Sequence, residues 1–127
     1  MLARLCLTGL CLFFTATLAQ AGGDAQAGAQ VFRKCGACHT ATDAANRVGP
    51  SLMGVIGRPV AVYDGYDYSA AMKAFGADGK TWDEARLAEY LRAPKAMVPG
   101  TKMSFAGLKK VSDIENVIAY LKTTTKP

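Results

Sequence analysis

Three segments of the chain repeat apolar side chains at the spacing of an amphipathic helix. The first opens at Asp24, a residue type suited to capping a helix N-terminus, and runs to Cys35 with Val31, Phe32 and Cys35 on one face. Ala25, Gly28 and Ala29 give it a small-residue surface that a second helix can approach closely. Another helix is expected from Thr81, where Glu84 three residues on would complete a capping box. Leu87, Tyr90 and Leu91 form its apolar stripe, and Pro94 ends it. The third is expected from Ser112 with Glu115, followed by Ile114, Val117, Ile118 and Leu121. A shorter helix fits Ser69–Phe75. Turn-forming stretches lie between them: Gly49-Pro50, Gly54, Gly57 through Gly65, and Met97–Gly107. No segment alternates as a strand does. The pattern predicts an all-α domain of three to five short helices joined by long loops.

The first twenty-one residues do not belong to that pattern. Arg4 supplies a positive charge, Leu5–Leu18 is apolar, and Ala19-Gln20-Ala21 offers small residues where a signal peptidase reads. That order is the grammar of a secretory signal, so residues 1–21 are read as a cleaved leader and residues 22–127 as one domain. The apolar run is shorter than the roughly 20 residues a membrane-spanning helix needs. An uncleaved tether is the alternative.

The formal net charge of +5 in 127 residues, with no basic run interleaved with aromatics, gives no ground for a nucleic-acid partner. Acidic protein surfaces or anionic membranes suit a moderately basic exported protein better, and charge that only keeps the protein soluble is the alternative. A domain this small buries a thin core and needs a staple, a metal or a cofactor.

Cysteine usage points to which. Cys6 and Cys11 leave with the leader, so the exported domain keeps only Cys35 and Cys38. They lie in Cys35-Gly36-Ala37-Cys38-His39, the C-x-x-C-H pattern of covalent haem attachment. At the end of a helix, residues three and four apart share one face, so two thiols can meet the two vinyl groups of a porphyrin edge while the imidazole reaches the iron. A thioredoxin-like pair would need a βαβ pattern that is missing. Zinc would lack a fourth ligand, because His39 is the chain's one histidine. The expected cofactor is one haem c, bound through Cys35 and Cys38.

A second histidine ligand is excluded, which leaves Met, Lys, water or nothing opposite His39. Met53, Met72, Met97 and Met103 are the candidates in the domain.

From Gly23 to Thr123 the chain resembles a class I cytochrome c, the mitochondrial and soluble bacterial type. Beside the C-x-x-C-H motif, Val98-Pro99-Gly100-Thr101-Lys102-Met103-Ser104-Phe105-Ala106-Gly107 resembles that family's distal-ligand loop. The resemblance implies the class I fold wrapped around its haem, with iron held by His39 and Met103; Met97 is the alternative ligand. It implies further that Pro50 accepts the other imidazole N–H of His39. Arg58, Tyr68 and Trp82 match residues that serve the haem propionates, and Tyr90 and Thr101 match the distal pocket. Gly28, Phe32, Val117 and Tyr120 match the crossing of the first and last helices. Met72 departs from the pattern, standing where many relatives carry Asn, and the stretch between Arg58 and Trp82 is a few residues longer.

The function so implied is one-electron transfer without bond chemistry, so the chain is not read as an enzyme. A haem protein with a labile sixth position is the alternative from another class. By resemblance, Lys34, Arg47, Lys95, Lys102, Lys109 and Lys110 ring the exposed haem edge and meet acidic partners. A cytochrome bc complex would be the donor; a terminal oxidase, a photosynthetic reaction centre or a peroxidase would be the acceptor. The expected carrier is a monomer of the bacterial periplasm with no stable membrane insertion.

Overall fold

Asp24 caps the first helix as its residue type suggests: its carboxylate accepts the backbone N–H groups of Gln26 and Ala27 at 2.7 and 2.9 Å. The computed structural model describes residues 22–125. The expected leader, residues 1–21, lies outside the described residues. Five α-helices follow one another: α1 Ala25–Phe32, α2 Ala70–Phe75, α3 Glu84–Arg92, α4 Pro94–Met97 and α5 Val111–Thr123. Among the described residues there is no strand, only an isolated antiparallel bridge between Pro59 and Thr81.

Helix boundaries depart from expectation in three places. α1 stops at Phe32, not Cys35. The chain continues as hydrogen-bonded turns, with Cys35 N–H on the Phe32 carbonyl at 2.8 Å. α3 is capped by Asp83, which accepts from Arg86 N–H at 2.8 Å, and not by Thr81. Thr81 lies two residues ahead of that cap and pairs with Pro59 in the isolated bridge. α5 starts at Val111, with Lys110 at its cap and no side-chain cap bond, so the box expected from Ser112 and Glu115 is not made. Pro94 ends α3 as expected and also opens α4, where a missing N–H costs nothing. Ser69 caps α2 through Met72 N–H at 3.0 Å.

The broadest helix contact is the crossing of α1 and α5. It is built at Gly28: a Cβ there would lie 1.9 Å from the Asn116 carbonyl oxygen and 2.8 Å from the Tyr120 Cβ. Only glycine lets the two backbones touch. Asp24 N–H closes one end of the seam on Asn116 Oδ1 at 2.8 Å. At the other end the Phe32 and Tyr120 rings stand 5.3 Å apart. Val31, Leu87, Leu91, Ile114, Val117, Ile118 and Leu121 fill the space between α1, α3 and α5. The same buried cluster extends through Val55, Val60, Met72, Trp82 and Val98 beneath the loops. The long segment from Arg33 to Ser69 and the one from Val98 to Lys110 carry the residues of chemical interest.

Candidate cofactor site

The turn that follows α1 presents Cys35, Cys38 and His39 together. Cys38 N–H and His39 N–H both donate to the Cys35 carbonyl, at 3.0 and 2.9 Å. The two cysteines are free thiols, each partly exposed. Burial raises the Cys35 pKa, with the positive charge of Lys34 opposing it, so this thiol stays protonated at neutral pH.

His39 is held from two sides. Its Nδ1 lies 2.7 Å from the Pro50 carbonyl oxygen. A carbonyl only accepts, so Nδ1 must carry the proton; burial lowers the ring's pKa, against the raising effect of that bond. The lone pair is then on Nε2, which meets no protein partner among the described residues and is not an orphaned buried atom. Gly49 packs on the ring: a Cβ at that position would be 2.2 Å from Cε1 and 2.6 Å from Nδ1.

Behind Pro50 stands a residue that no sequence pattern singles out. Ser51 is fully buried, at 0% exposure. Its hydroxyl donates to the Asp43 carbonyl at 2.5 Å and accepts from Thr40 Oγ1 and Met53 N–H at 3.3 and 3.2 Å. Thr40 follows His39 and Ser51 follows Pro50, so this cluster ties together the residues flanking both ends of the imidazole bond. Arg58 adds Nη1 to the Ser51 carbonyl at 2.8 Å and Nη2 to the Met53 carbonyl at 2.6 Å. Its guanidinium also stacks 4.2 Å above the Tyr63 ring. Tyr68 lies close by, accepting Tyr63 N–H at 3.3 Å.

Met103, Thr101 and Tyr90 form a second group. Met103 N–H donates to Thr101 Oγ1 at 3.3 Å, Thr101 Oγ1 and Tyr90 Oη are 3.3 Å apart, and Tyr90 Oη lies 3.5 Å from Met103 Sδ. Tyrosine has one proton to give. If Tyr90 donates to sulfur, Thr101 must donate to Tyr90, and its lone pairs then take the Met103 N–H. The three bonds therefore close into one ring with every proton directed the same way round. Met53 and Met72 are buried, and Met97 packs against the core. Of the four methionines only Met103 has a polar group at its sulfur among the described residues. Trp82 packs on Tyr90 with ring centroids 4.9 Å apart, and its indole N–H meets no protein acceptor among the described residues.

Met72 is 8% exposed within the apolar cluster, and no buried side-chain nitrogen or oxygen among the described residues lacks a partner. A surface groove of about 950 Å³ lies between α1, α3 and α5, away from these groups, and one of about 480 Å³ lies beside Arg58 and Tyr63.

Two thiols at the attachment spacing, a neutral imidazole with a bare Nε2, and a thioether oriented by a tyrosine are a donor set that fits a covalently held haem. Fold and donor set together define a helical c-type haem protein. Comparison with known proteins agrees. The sequence profile of the Cytochrome c family matches residues 25–125. The cytochrome c-550 of Nitrobacter winogradskyi is 50% identical over 105 residues, covering 82% of this chain and 94% of that protein. A cytochrome c2 from Afifella marina is 49% identical, covering 82% and 85%. Among solved structures, cytochrome cH from Methylobacterium extorquens superposes with a TM-score of 0.72 at 46% identity, covering 80% of this chain and 99% of that one. The chain belongs to the cytochrome c family and has the class I cytochrome c fold. It is an electron-transport protein whose cofactor is covalently bound haem c, with Cys35 and Cys38 at the attachment spacing.

Proposed function

We propose that the chain is a one-electron carrier of the bacterial periplasm, with His39 and Met103 as the two axial ligands of its haem. When bound, the haem supplies an iron centre that takes up or gives away one electron without any bond being made or broken in a substrate. The residues around it hold and orient. Pro50 fixes the His39 tautomer, which leaves Nε2 to bind metal, and Gly49 and the Ser51 cluster hold the ring's position. Tyr90 and Thr101 orient the Met103 sulfur. Arg58, Tyr68 and Trp82 are assigned to the propionate side, where donors are needed for buried carboxylates. With His39 and Met103 both holding the iron, no coordination position would be left for a substrate, so the reading is a carrier and not an enzyme.

The observation that carries this reading is the closed Met103–Thr101–Tyr90 ring. It singles Met103 out from the three other methionines by an interaction at sulfur. The test is the ferric optical spectrum of the haem-loaded protein. The weak red band of sulfur-to-iron(III) ligation should be present, lost in Met103→Ala and retained in Met97→Ala. The opposite pattern would reassign the ligand.

Export rests on the leader grammar and on the relatives, since bacterial cytochromes c2 are typically periplasmic. Mass spectrometry of the exported protein should show a chain starting at Gly22. No described helix is long and apolar enough to cross a membrane. As partners we assign membrane redox complexes: a cytochrome bc complex as donor, and a terminal oxidase, photosynthetic reaction centre or peroxidase as acceptor. The carrier would meet them as a monomer, through the cations around the haem edge.

A further inference from the structure

The six cations expected to ring the haem edge are not equivalent. Lys34 pairs with Asp113 at 3.6 Å. Arg47 reaches the Gly36 carbonyl and Lys109 the Ala106 carbonyl, neutral acceptors that leave the charge intact. Lys95 and Lys110 have no ion-pair partner among the described residues. Lys102, next to the candidate ligand Met103, is the most constrained. Its Nζ donates to the Asp67 backbone carbonyl at 2.6 Å and also lies 3.3 Å from the Asp67 carboxylate. The other carboxylate oxygen of Asp67 is 3.3 Å from Lys73 Nζ on α2. One carboxylate thus stands between two ammonium groups, and all three are well exposed.

Exposed ion pairs of this kind add little to stability. Their effect on the field outside the protein is another matter. A triad of two positive charges and one negative presents a net single charge to anything approaching from solvent, where Lys73 and Lys102 alone would present two. We propose that Asp67 is a specificity-determining residue of the docking face: it halves the positive charge beside the Met103 loop and so sets how fast an acidic redox partner associates. The inference rests on the carrier reading above, in which Lys102 faces the partner. Lys102 contributes a second feature. Because its ammonium is tied to the Asp67 main-chain carbonyl, it is held in place whatever side chain residue 67 carries, so Asp67→Asn removes charge while leaving that tether.

Electrostatic steering acts on association rate and falls with salt. The screening length is about 30 Å at 0.01 M ionic strength and about 3 Å at 1 M, so the attenuation should be large in the first condition and absent in the second. The test uses the reduced, haem-loaded protein, with ferricyanide as an anionic oxidant and tris(phenanthroline)cobalt(III) as a cationic one. Asp67→Asn should react about two- to four-fold faster with ferricyanide at 0.01 M, slower with the cobalt complex, and like wild type at 1 M. Glu115→Gln carries the same change in net charge. It lies in the groove between α1, α3 and α5, whose lining includes none of the six cations, and should show a smaller gain. Hexacyanochromate(III), a redox-inert paramagnetic trianion, should broaden the amide signals of residues 101–103 more in Asp67→Asn than in wild type.

A ratio of Asp67→Asn to wild type of one with both oxidants at low salt overturns the proposal. So does a gain matched by Glu115→Gln, or one accompanied by loss of the red sulfur band, which would mean an opened loop and not a changed field. The carrier's basic-face reading is judged separately, from the wild type's own salt dependence. If wild type is indifferent to salt while Asp67→Asn still gains on ferricyanide, the basic ring fails and the role of Asp67 is upheld.

Discussion

Helix propensity and packing make opposite predictions for Gly28→Ala. Alanine in the interior of α1 should favour the helix by about 1 kcal/mol. Against this stands the Asn116 carbonyl, whose oxygen would lie 1.9 Å from the new Cβ. A comfortable C···O approach is about 3.3–3.6 Å, so the helices must part locally by about 1.5 Å. The neighbour is α5 backbone, and no rotamer change relieves it. Forced overpacking costs about 1–3 kcal/mol. Parting the helices also strains the bond from Asp24 N–H to Asn116 Oδ1, worth about 0.5–1.5 kcal/mol. The balance is a net loss of about 1–3 kcal/mol, or a Tm lower by about 5–20 °C for a domain of this size. Urea unfolding of the haem-loaded protein, followed by circular dichroism and Soret absorbance, measures it. Ala29→Gly on the same helix isolates propensity and should lose about 1 kcal/mol. A Gly28→Ala protein as stable as wild type, with an unchanged m-value, would refute the claim that this crossing needs a missing Cβ.

Gly49→Ala pushes a methyl group into the His39 ring, 2.2 Å from Cε1, so the imidazole must turn away from the Pro50 carbonyl. A weakened haem signature and a changed potential are expected, read by redox titration with spectra. Tyr90→Phe removes the donor to the Met103 sulfur. That bond draws electron density from sulfur and favours ferrous iron, so its loss should lower the potential; a weak bond of about 0.5–1 kcal/mol corresponds to about 20–45 mV. Hydrogen bonds from Lys73 and Lys102 hold the Asp67 carboxyl below its ordinary range. A carboxyl depressed in the folded state contributes stability above its unfolded pKa of about 3.9 and loses it as pH falls through the lower folded value. The difference between wild type and Asp67→Asn in urea should therefore be constant above about pH 5 and vanish in stronger acid. A difference that persisted there would place its origin elsewhere.

How much of this could be read from sequence depends on the range of the interaction. Asp24 was legible as a cap because it bonds within three residues of itself. The C-x-x-C-H motif was legible because its chemistry is set by local spacing. Thr81 was misread because Asp83, two residues nearer the helix, takes the cap while Thr81 pairs with Pro59, remote in sequence. α1 gives way to hydrogen-bonded turns before Cys35, a boundary that the apolar spacing does not mark. Ser51 gave no signal: its hydrogen bonds reach the Asp43 carbonyl and Thr40, and only the course of the loop brings those near. Asp67 was equally silent, since its partner Lys102 lies 35 residues away.

The two candidate iron ligands sit on loops that are anchored by different physics. On the His39 side the bonds are mostly neutral and buried, centred on a serine with no solvent exposure, and an ionic medium does not screen them. On the Met103 side the inner ring of Thr101 and Tyr90 is partly buried, but the next residue, Lys102, is tied to Asp67 at the surface by groups open to salt and acid. Local stability follows burial and the strength of such anchors. Added salt should therefore weaken the Lys102 anchor of the Met103 loop, a small effect because exposed ion pairs add little, and leave the bonds around His39 unchanged. In hydrogen exchange on the haem-loaded protein, raising ionic strength should speed the amides of residues 101–103 before those of residues 49–53. If both loops respond alike, the two anchors do not differ in kind.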